Sequence, residues 1–366
     1  MDIDILIVIS FFVITLVVGL SSSKEVDTIS KYALGGRNFN TSTLVSTIVA
    51  TWISGSLFFT DLSKTYSDGL AYVIPALCMP FSLLITAFIF VPKMQEFLGK
   101  LSVAEVMGSL YGRDVRLVTA LCGIAGNIGG LAIQFKVVGT IFHYFLNIED
   151  FYAIILASVV VIIYSASGGI KSVTYTDLIQ FFTFSFVIPV IGIIVWNEFT
   201  AQGLSFNSAL NQSISNYKNL FNFNNPDLWD MIFLSFYFAL PAIGAMDFQR
   251  ISMARDIDQI KQALVISTAL VILISLSIIW IPFLVFNIDD TINPNELVVY
   301  LIDNYSYTGF KGILIISILA MAMSTADSRI NAVSVLFAYD LSKALNLKVN
   351  ELYISCLLYT SDAADE

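Results

Sequence analysis

The sequence predicts an all-α protein that crosses a membrane several times. Hydrophobic residues make up 57% of its 366 residues and charged residues only 13%, so the mean hydropathy is strongly positive. A soluble chain of this length has no interior large enough for so much apolar surface. Nine apolar runs, each near the ~20 residues that a spanning helix needs, lie between polar links: 3–20, 42–62, 70–92, 117–146, 151–167, 177–196, 229–248, 263–286 and 310–338.

The first run is predicted to remain as a helix, because it follows Asp2 and Asp4 rather than a basic segment and has no small-residue cleavage site. Of the 18 Lys and Arg residues, 13 fall on one side of the predicted membrane, Arg250 among them. Lys136 and Arg329 lie within runs, and three fall on the other side: Lys64, Lys218 and Lys311. By the positive-inside rule, the N-terminus lies outside and the basic loops are cytoplasmic.

The net charge of −10 does not indicate a basic partner, since many acidic residues fall in the predicted outer loops. The positive-inside rule depends little on them. Nothing in the sequence supports nucleic-acid binding, and the partner that the composition predicts is the lipid bilayer of the cell membrane. Cys78, Cys122 and Cys356 do not have the spacing of a disulfide framework or of a metal site.

Two of the runs contain residues that interrupt helices. The second has Ser54-Gly55-Ser56 at its centre, and the seventh has Pro241 and Gly244. Interrupted helices at corresponding places in two halves of a membrane protein indicate a transporter site, since unwound backbone frees carbonyl groups to bind an ion. Runs two to six make one set of five, and run seven opens a second. The alternative is that Gly and Pro are simply common in membrane helices.

The ninth run carries polar residues that share one helical face. Ser324, Asp327, Ser328 and Asn331 recur at i, i+3, i+4 and i+7, and Thr325 lies beside them. Hard cations such as sodium prefer oxygen ligands, and coupling-ion sites are expected near the middle of the membrane, where Ser324 falls. The pattern therefore predicts an ion site. Hydrogen bonding between helices is the alternative.

Asp177 opens the sixth run, where a carboxylate is also favoured simply by the dipole of a helix N-terminus. The surrounding segment, residues 168–180, resembles the sodium:solute symporter family. Similar motifs are Leu34-Gly35-Gly36-Arg37, the stretch from Met323 to Ser328, and Tyr339-Asp340-Leu341, and the resemblance extends from residue 1 to about 355. It implies a leucine-transporter-like fold, a five-plus-five inverted repeat with an extra N-terminal helix that faces outside.

The resemblance also implies ion-binding residues. The main sodium site of the family matches backbone carbonyls and hydroxyls of Ala50, Ile53, Met321, Ser324 and Thr325. A second sodium site, found in some members, matches Asp177, Asp327 and Ser328. Here an aspartate replaces a common hydroxyl, so either the second site binds sodium or Asp327 pairs with another cation. Sodium is the expected co-transported ion.

The solute site is less well marked. Lys136 is predicted to be buried, where it could meet a solute carboxylate, pair with Asp177 or Asp327, or extend to the membrane surface. Trp52, beside the interruption in run two, could line a pocket, although core or lipid contact is the default for an aromatic residue. Arg329 is about 140° around its helix from Ser324 and is expected to make a structural pairing away from the ion face.

Residues 356–366 break the hydrophobic pattern where a tenth span should begin, and they resemble translated read-through of a sequencing adapter. We therefore expect residues 1–355 to be a transporter core with an incomplete second repeat, and 356–366 not to be native. The predicted function is sodium-coupled symport of a small-molecule solute by alternating access, with no enzymatic activity. The alternative is the transporter-like sensor core of a membrane histidine kinase.

Overall fold

The computed structural model describes residues 3–22, 26–146, 148–207, 222–241 and 243–357. Asp2, Lys218 and residues 358–366, to which the predictions above refer, lie outside these ranges. The α-helices are α1 Ile3–Ser21, α2 Ile29–Leu34, α3 Thr41–Trp52, α4 Gly55–Asp68, α5 Leu70–Cys78, α6 Phe81–Ile85, α7 Val103–Tyr111, α8 Arg113–Leu146, α9 Asp150–Ala201, α10 Pro226–Ala239, α11 Ala245–Ser252, α12 Ile257–Ile288, α13 Leu297–Tyr305, α14 Phe310–Val335, α15 Ser342–Leu345 and α16 Glu351–Leu357.

Within the described ranges, six helical stretches are long and apolar enough to cross a membrane, and a seventh is obtained if the bent pair α3 and α4 counts as one span. The predicted runs five and six are joined in α9, and run seven is divided between α10 and α11. The chain is therefore a multi-pass membrane protein, while the total of nine spans stays a prediction.

Helix α14 lies at the centre of the bundle. Of its most apolar stretch, 78% is buried inside the protein, compared with 17% for α8. It packs against α1, α8 and α9 and also contacts α3, α4 and α11. Because α14 is surrounded by protein, its polar residues can find partners on neighbouring helices rather than facing hydrocarbon.

Helix α9 is broken at Gly169, whose φ of 55° and ψ of −150° are not helical. A Cβ atom at this position would lie 2.6 Å from the carbonyl oxygen of Tyr32 on α2. Only glycine adopts this backbone conformation readily and leaves room for so close an approach. The break separates the predicted runs five and six, and it places Asp177 about two turns inside the second part of α9, where its side chain is fully buried.

Both predicted interruptions are present. Helices α3 and α4 meet at an angle of 55° and are separated by Ile53 and Ser54. The Ser54 hydroxyl oxygen accepts a hydrogen bond of 3.1 Å from the Leu57 N–H, so it caps the start of α4. Helix α10 ends at an extended Leu240, and α11 begins after an extended Gly244. The first interruption lies inside the bundle, where Ile53 is fully buried, whereas Leu240 and Gly244 at the second are exposed.

Candidate ion-binding site

Two adjacent hydroxyl groups of α14 meet the backbone carbonyls at the end of α3. The Ser324 hydroxyl donates to the Ala50 carbonyl oxygen at 2.8 Å and lies 3.1 Å from that of Met321. The Thr325 hydroxyl lies 3.3 Å from the carbonyl oxygens of both Thr51 and Met321. All five residues are buried. The helix interruption and the polar face of α14 thus form one oxygen-rich cluster.

The end of α3 explains why these carbonyls are available. The last carbonyls of a helix have no N–H partner within the helix, and the chain leaves helical geometry at Ile53, with φ −83° and ψ 87°. Ile53 is fully buried at this point. Thr51, which is not among the predicted ligands, supplies the second carbonyl oxygen that contacts α14. Every residue has a backbone carbonyl, and contacts between a hydroxyl and a carbonyl are common in membrane proteins. The side chain of Thr51 therefore carries no signal that its carbonyl would be used.

The residues predicted for a second site also come together, around an arginine. The Asp177 carboxylate accepts a hydrogen bond from the Thr47 hydroxyl, and Nη2 of Arg250 lies 3.3 Å from Asp177 Oδ2. The same nitrogen donates to the Ser328 hydroxyl oxygen and lies 3.2 Å from Thr51 Oγ1. Arg250 therefore connects α9, α3 and α14.

The charge pattern counts Arg250 among the basic residues on the cytoplasmic side of the membrane. In the structure its side chain is only 3% exposed and lies inside the bundle, so it is not part of an exposed basic loop. Asp327 is fully buried as well, and the negative charge of its carboxylate stabilises the positive charge of Arg250. Buried charges are tolerated in a membrane when they are paired. Helix α11 turns Arg250 into the bundle, where the Asp177 carboxylate on α9 pairs with it and the negative charge of Asp327 on α14 adds to the stabilisation.

The polar face of α14 ends in a hydrogen bond between side chains. Asn331 is fully buried, and its Oδ1 accepts a bond of 3.0 Å from Nε2 of Gln249 on α11. The same Gln249 nitrogen lies 3.4 Å from the Ala33 carbonyl oxygen. For Asn331, the alternative of hydrogen bonding between helices therefore describes the structure better than ion binding.

Trp52 lies at the interruption and is partly buried. It lines a cavity of about 20 Å³ together with residues of α11 that include Asp247, enough for about one water molecule. The Trp52 side chain and the Asp247 carboxylate are close neighbours there. The negative charge of that carboxylate also stabilises the positive charge of Arg329. Nε of Arg329 is buried without a hydrogen-bond partner among the described residues, so the structural pairing expected for Arg329 stays a prediction.

Lys136 does not occupy the predicted buried position, because its side chain is exposed. Helix α8 instead presents Gln134, which is 2% exposed and about 200° away around the helix. Gln134 Nε2 donates to the Ser56 hydroxyl oxygen at 2.8 Å, and its Oε1 accepts from the Ser56 N–H at 3.3 Å. An amide contact of this kind leaves no spacing pattern in the sequence, whereas a lysine within an apolar run stands out.

Comparison with known proteins places this geometry in a family. A sequence profile described as the sodium:solute symporter family matches residues 32–357. High-affinity choline transporter 1 of Caenorhabditis elegans is 26% identical over 189 residues, which cover 49% of this chain and 33% of that protein. The sodium/sialic acid symporter NanT of Aliivibrio fischeri is 22% identical over 307 residues, which cover 80% of this chain and 61% of that protein. The matches thus span less than two thirds of these relatives.

A solved structure of a Na⁺-coupled sialic acid symporter, in a substrate-bound outward-open state, superposes with a TM-score of 0.87. Sequence identity is 20%, and the match covers 98% of this chain and 79% of that one. The predicted leucine-transporter-like fold is confirmed. The relatives named here are transporters rather than enzymes, as predicted, and none of them supports the alternative of a kinase-linked sensor. The chain belongs to the sodium:solute symporter family.

Proposed function

We propose that this chain is the core of a sodium-coupled symporter, in which sodium moving into the cell drives uptake of a small organic solute by alternating access. The observation that carries the proposal is the contact of Ser324 and Thr325 on α14 with the carbonyl groups at the end of α3. Coupling-ion sites of transporters are built from such unwound backbone near the middle of the membrane. Membership of the family supports the same proposal.

The main sodium site is proposed to consist of oxygen atoms from the residues Ala50, Ile53, Met321, Ser324 and Thr325. Each of them is uncharged and buried. Carbonyl and hydroxyl oxygens suit a hard monovalent cation, and the hydroxyl hydrogens would turn away from the ion so that the lone pairs face it. The ligands come from two helices, so sodium would favour one relative position of α3 and α14.

A sodium ion that holds α3 against α14 can drive transport only if it binds one conformation better than another. Ligands on two separate helices provide that difference, because a relative movement of the helices would pull the oxygens apart. Each sodium ion that moves down a membrane potential of 100 mV supplies about 2.3 kcal/mol. That energy is available to move the solute against its own gradient.

The solute is proposed to bind beside the interruptions, where Trp52 of α3 and Asp247 of α11 meet. The cavity there has room for about one water molecule, so the proposal requires α3 and α11 to move apart when the solute enters. The names of the relatives indicate solutes of opposite charge, choline and sialic acid, so similarity alone does not select one. We propose uptake into cells of labelled choline, sialic acid, amino acids, sugars and carboxylates as the test of transport. Uptake that is the same in sodium and in potassium for every member of the panel would contradict symport.

The sodium site itself can be tested without knowing the solute. Sodium that binds only the folded chain raises its stability, by about 2.7 kcal/mol at 100 times the dissociation constant. Ser324→Ala and Thr325→Ala are each expected to raise the half-saturating sodium concentration about tenfold, which corresponds to a loss of about 1.4 kcal/mol of binding free energy. The measurement is thermal unfolding of the detergent-solubilised chain at increasing sodium chloride.

Potassium chloride at equal ionic strength controls for salt. Ser317→Ala is the matched variant, because Ser317 is a buried serine of the same helix whose hydroxyl donates within α14, to the Ile313 carbonyl oxygen. It is expected to leave the sodium titration unchanged. An unchanged titration for both Ser324→Ala and Thr325→Ala would refute the site.

A further inference from the structure

Asp61 is a buried acidic residue within a membrane span, away from the proposed sodium site. It lies on α4, six residues after Gly55, which places it about 9 Å from the interruption towards the predicted outer side. Only 3% of it is exposed. Ionisable side chains at such a depth are costly and commonly bind ions or protons. A buried carboxylate needs a positive partner or a proton to neutralise it.

No positive charge neutralises Asp61 within the described ranges. The group that faces it there is the Tyr72 hydroxyl of α5, a neutral donor that lies 2.7 Å from Asp61 Oδ1. Lys64 is the closest basic residue in the sequence, and it forms its ion pair with Asp68 at 3.1 Å. Asp61 therefore has a hydrogen bond but no counter-charge.

The other elements packed on α4 bring no basic group to Asp61 either, in the part of the chain that the structure describes. On α12, Lys261 is the one basic residue, and it lies about 27 Å along the helix from Ile279, which packs on the tyrosine. Lys136 of α8 is exposed. Lys311 and Arg329 of α14 interact with acidic residues other than Asp61.

A proton on Asp61 would remove the uncompensated charge, and it would also make the carboxyl group a hydrogen-bond donor. Thr65 offers an acceptor one turn further along the same face of α4. Its side chain is buried, and its hydroxyl oxygen has no hydrogen-bond partner among the described residues. A proton also needs no space of its own in a closely packed interior.

Tyr72 connects Asp61 with the outer surface. It lines a cleft of about 400 Å³ between the end of α4, the start of α5 and the start of α10, together with Asp68, Asp227 and Asp230. Carboxylates around a cleft raise the local concentration of cations, hydronium included. When the Tyr72 oxygen accepts a proton from water in the cleft and passes its own proton to Oδ1, Tyr72 is restored and Asp61 gains one proton.

We propose that Asp61 is a proton-binding site that is filled from the outer side through Tyr72. This site is separate from the proposed sodium site and does not depend on which solute is carried. Helix α4 continues the broken span whose first part ends in the carbonyls of the sodium site. The proton and sodium would therefore act on two parts of the same span.

The test is infrared spectroscopy of the purified chain in detergent, which detects the carbonyl stretch of a protonated carboxyl group. At slightly acidic pH, the wild-type chain is expected to show a band that is absent from Asp61→Asn. Tyr72→Phe is expected to keep this band at a higher frequency, because the carbonyl loses its hydrogen bond. In heavy water, Tyr72→Phe is also expected to exchange this proton for deuterium more slowly than the wild-type chain.

Asp68→Asn is the matched control, because Asp68 is a carboxylate of the same helix that is 41% exposed and paired with Lys64. It is expected to leave the band and its exchange rate unchanged. Equal exchange rates in the wild-type chain and Tyr72→Phe would overturn the route through the tyrosine.

Two further results would overturn the proton site. The first is a wild-type spectrum without a band that responds to Tyr72→Phe, a comparison that needs no folded Asp61 variant. The second is an Asp61→Asn chain that binds fewer radioactive sodium ions than the wild-type chain, because the carboxylate would then hold sodium. Failure of the main sodium site is recognised separately, since sodium binding that survives Ser324→Ala combined with Thr325→Ala leaves the infrared band as it is.

Discussion

Ser324 and Thr325 are neighbours in the sequence, and their hydroxyls still reach the same group of carbonyls. Successive side chains point about 100° apart on a helix, so two adjacent hydroxyls can flank a groove on either side. Here the Met321 carbonyl of the same helix lies between them, and α3 closes the groove. A hydroxyl pair beside a helix interruption is therefore a compact way to assemble several oxygens at one depth.

Gln134 is expected to contribute to the stability of the interruption, because its amide satisfies both polar groups of Ser56 at the start of α4. Gln134→Leu should lower the free energy of unfolding by about 1–3 kcal/mol, the cost of leaving the polar groups of the partly buried Ser56 unsatisfied. Thermal unfolding in detergent measures it. Asn127→Leu on the same helix is the control, since Asn127 donates only to the Gly123 carbonyl within α8. Equal losses in both variants would contradict the role given to Gln134.

At the scale of helices, one break and one ion pair explain two of the sequence motifs. Gly169 ends the first part of α9 against α2. The aspartate of the Tyr339-Asp340-Leu341 motif is fully buried and lies 2.8 Å from Arg116 Nη2. Arg116 also lies 4.8 Å from the ring centroid of Tyr339. This motif therefore fastens the end of α14 to α8 and has a structural role.

Gly169→Ala is expected to destabilise the chain, because it places a Cβ atom 2.6 Å from a backbone oxygen at a positive φ. A strained residue of this kind costs roughly 1–3 kcal/mol, which thermal unfolding detects. Gly126→Ala is the control, since a Cβ atom there meets nothing within 4 Å and alanine favours a helix by about 1 kcal/mol. If Gly169→Ala is as stable as Gly126→Ala, the break does not depend on glycine.

The interruptions, the polar face of α14 and the fold could be predicted because each leaves a local signal: Gly and Pro inside apolar runs, polar residues at helical spacing, and family motifs. Arg250 could not be placed, since counting charges along the chain cannot reveal that α11 turns back into the bundle. The exposed position of Lys136 depends on how α8 is rotated. That rotation is decided by packing against α14. The apolar residues around Lys136 lie on all sides of α8, so their spacing does not show which face of the helix is buried.

At the scale of the whole molecule, the distribution of basic residues predicts how the chain lies in the membrane. Lys93 and Lys100 lie in the link between α6 and α7, and Arg113 is the first residue of α8. The loop after α12 carries Asp289 and Asp290 instead. The positive-inside rule assigns the first group to the cytoplasm. The second group then lies outside, together with the N-terminus.

This orientation can be tested by cysteine labelling. In a chain without its own cysteines, Asp290→Cys is expected to react with a membrane-impermeant maleimide on intact cells, because its loop faces outward. Lys100→Cys is expected to react only after the cells are permeabilised. Labelling of both after permeabilisation is the control for reactivity. The reverse pattern on intact cells would overturn the predicted orientation.

The contact between Ser324 and Ala50 joins residues that lie 274 positions apart, and this separation has a consequence for biosynthesis. At about 5–20 residues per second, the ribosome adds the hydroxyl roughly 14–55 s after the carbonyl that it will meet. During this delay the end of α3 has no partner from α14, and hydrocarbon offers none. The interruption must therefore be sheltered by water, by the insertion machinery or by earlier helices. At the proposed site, sodium would stabilise the nascent chain only once α14 has entered the membrane.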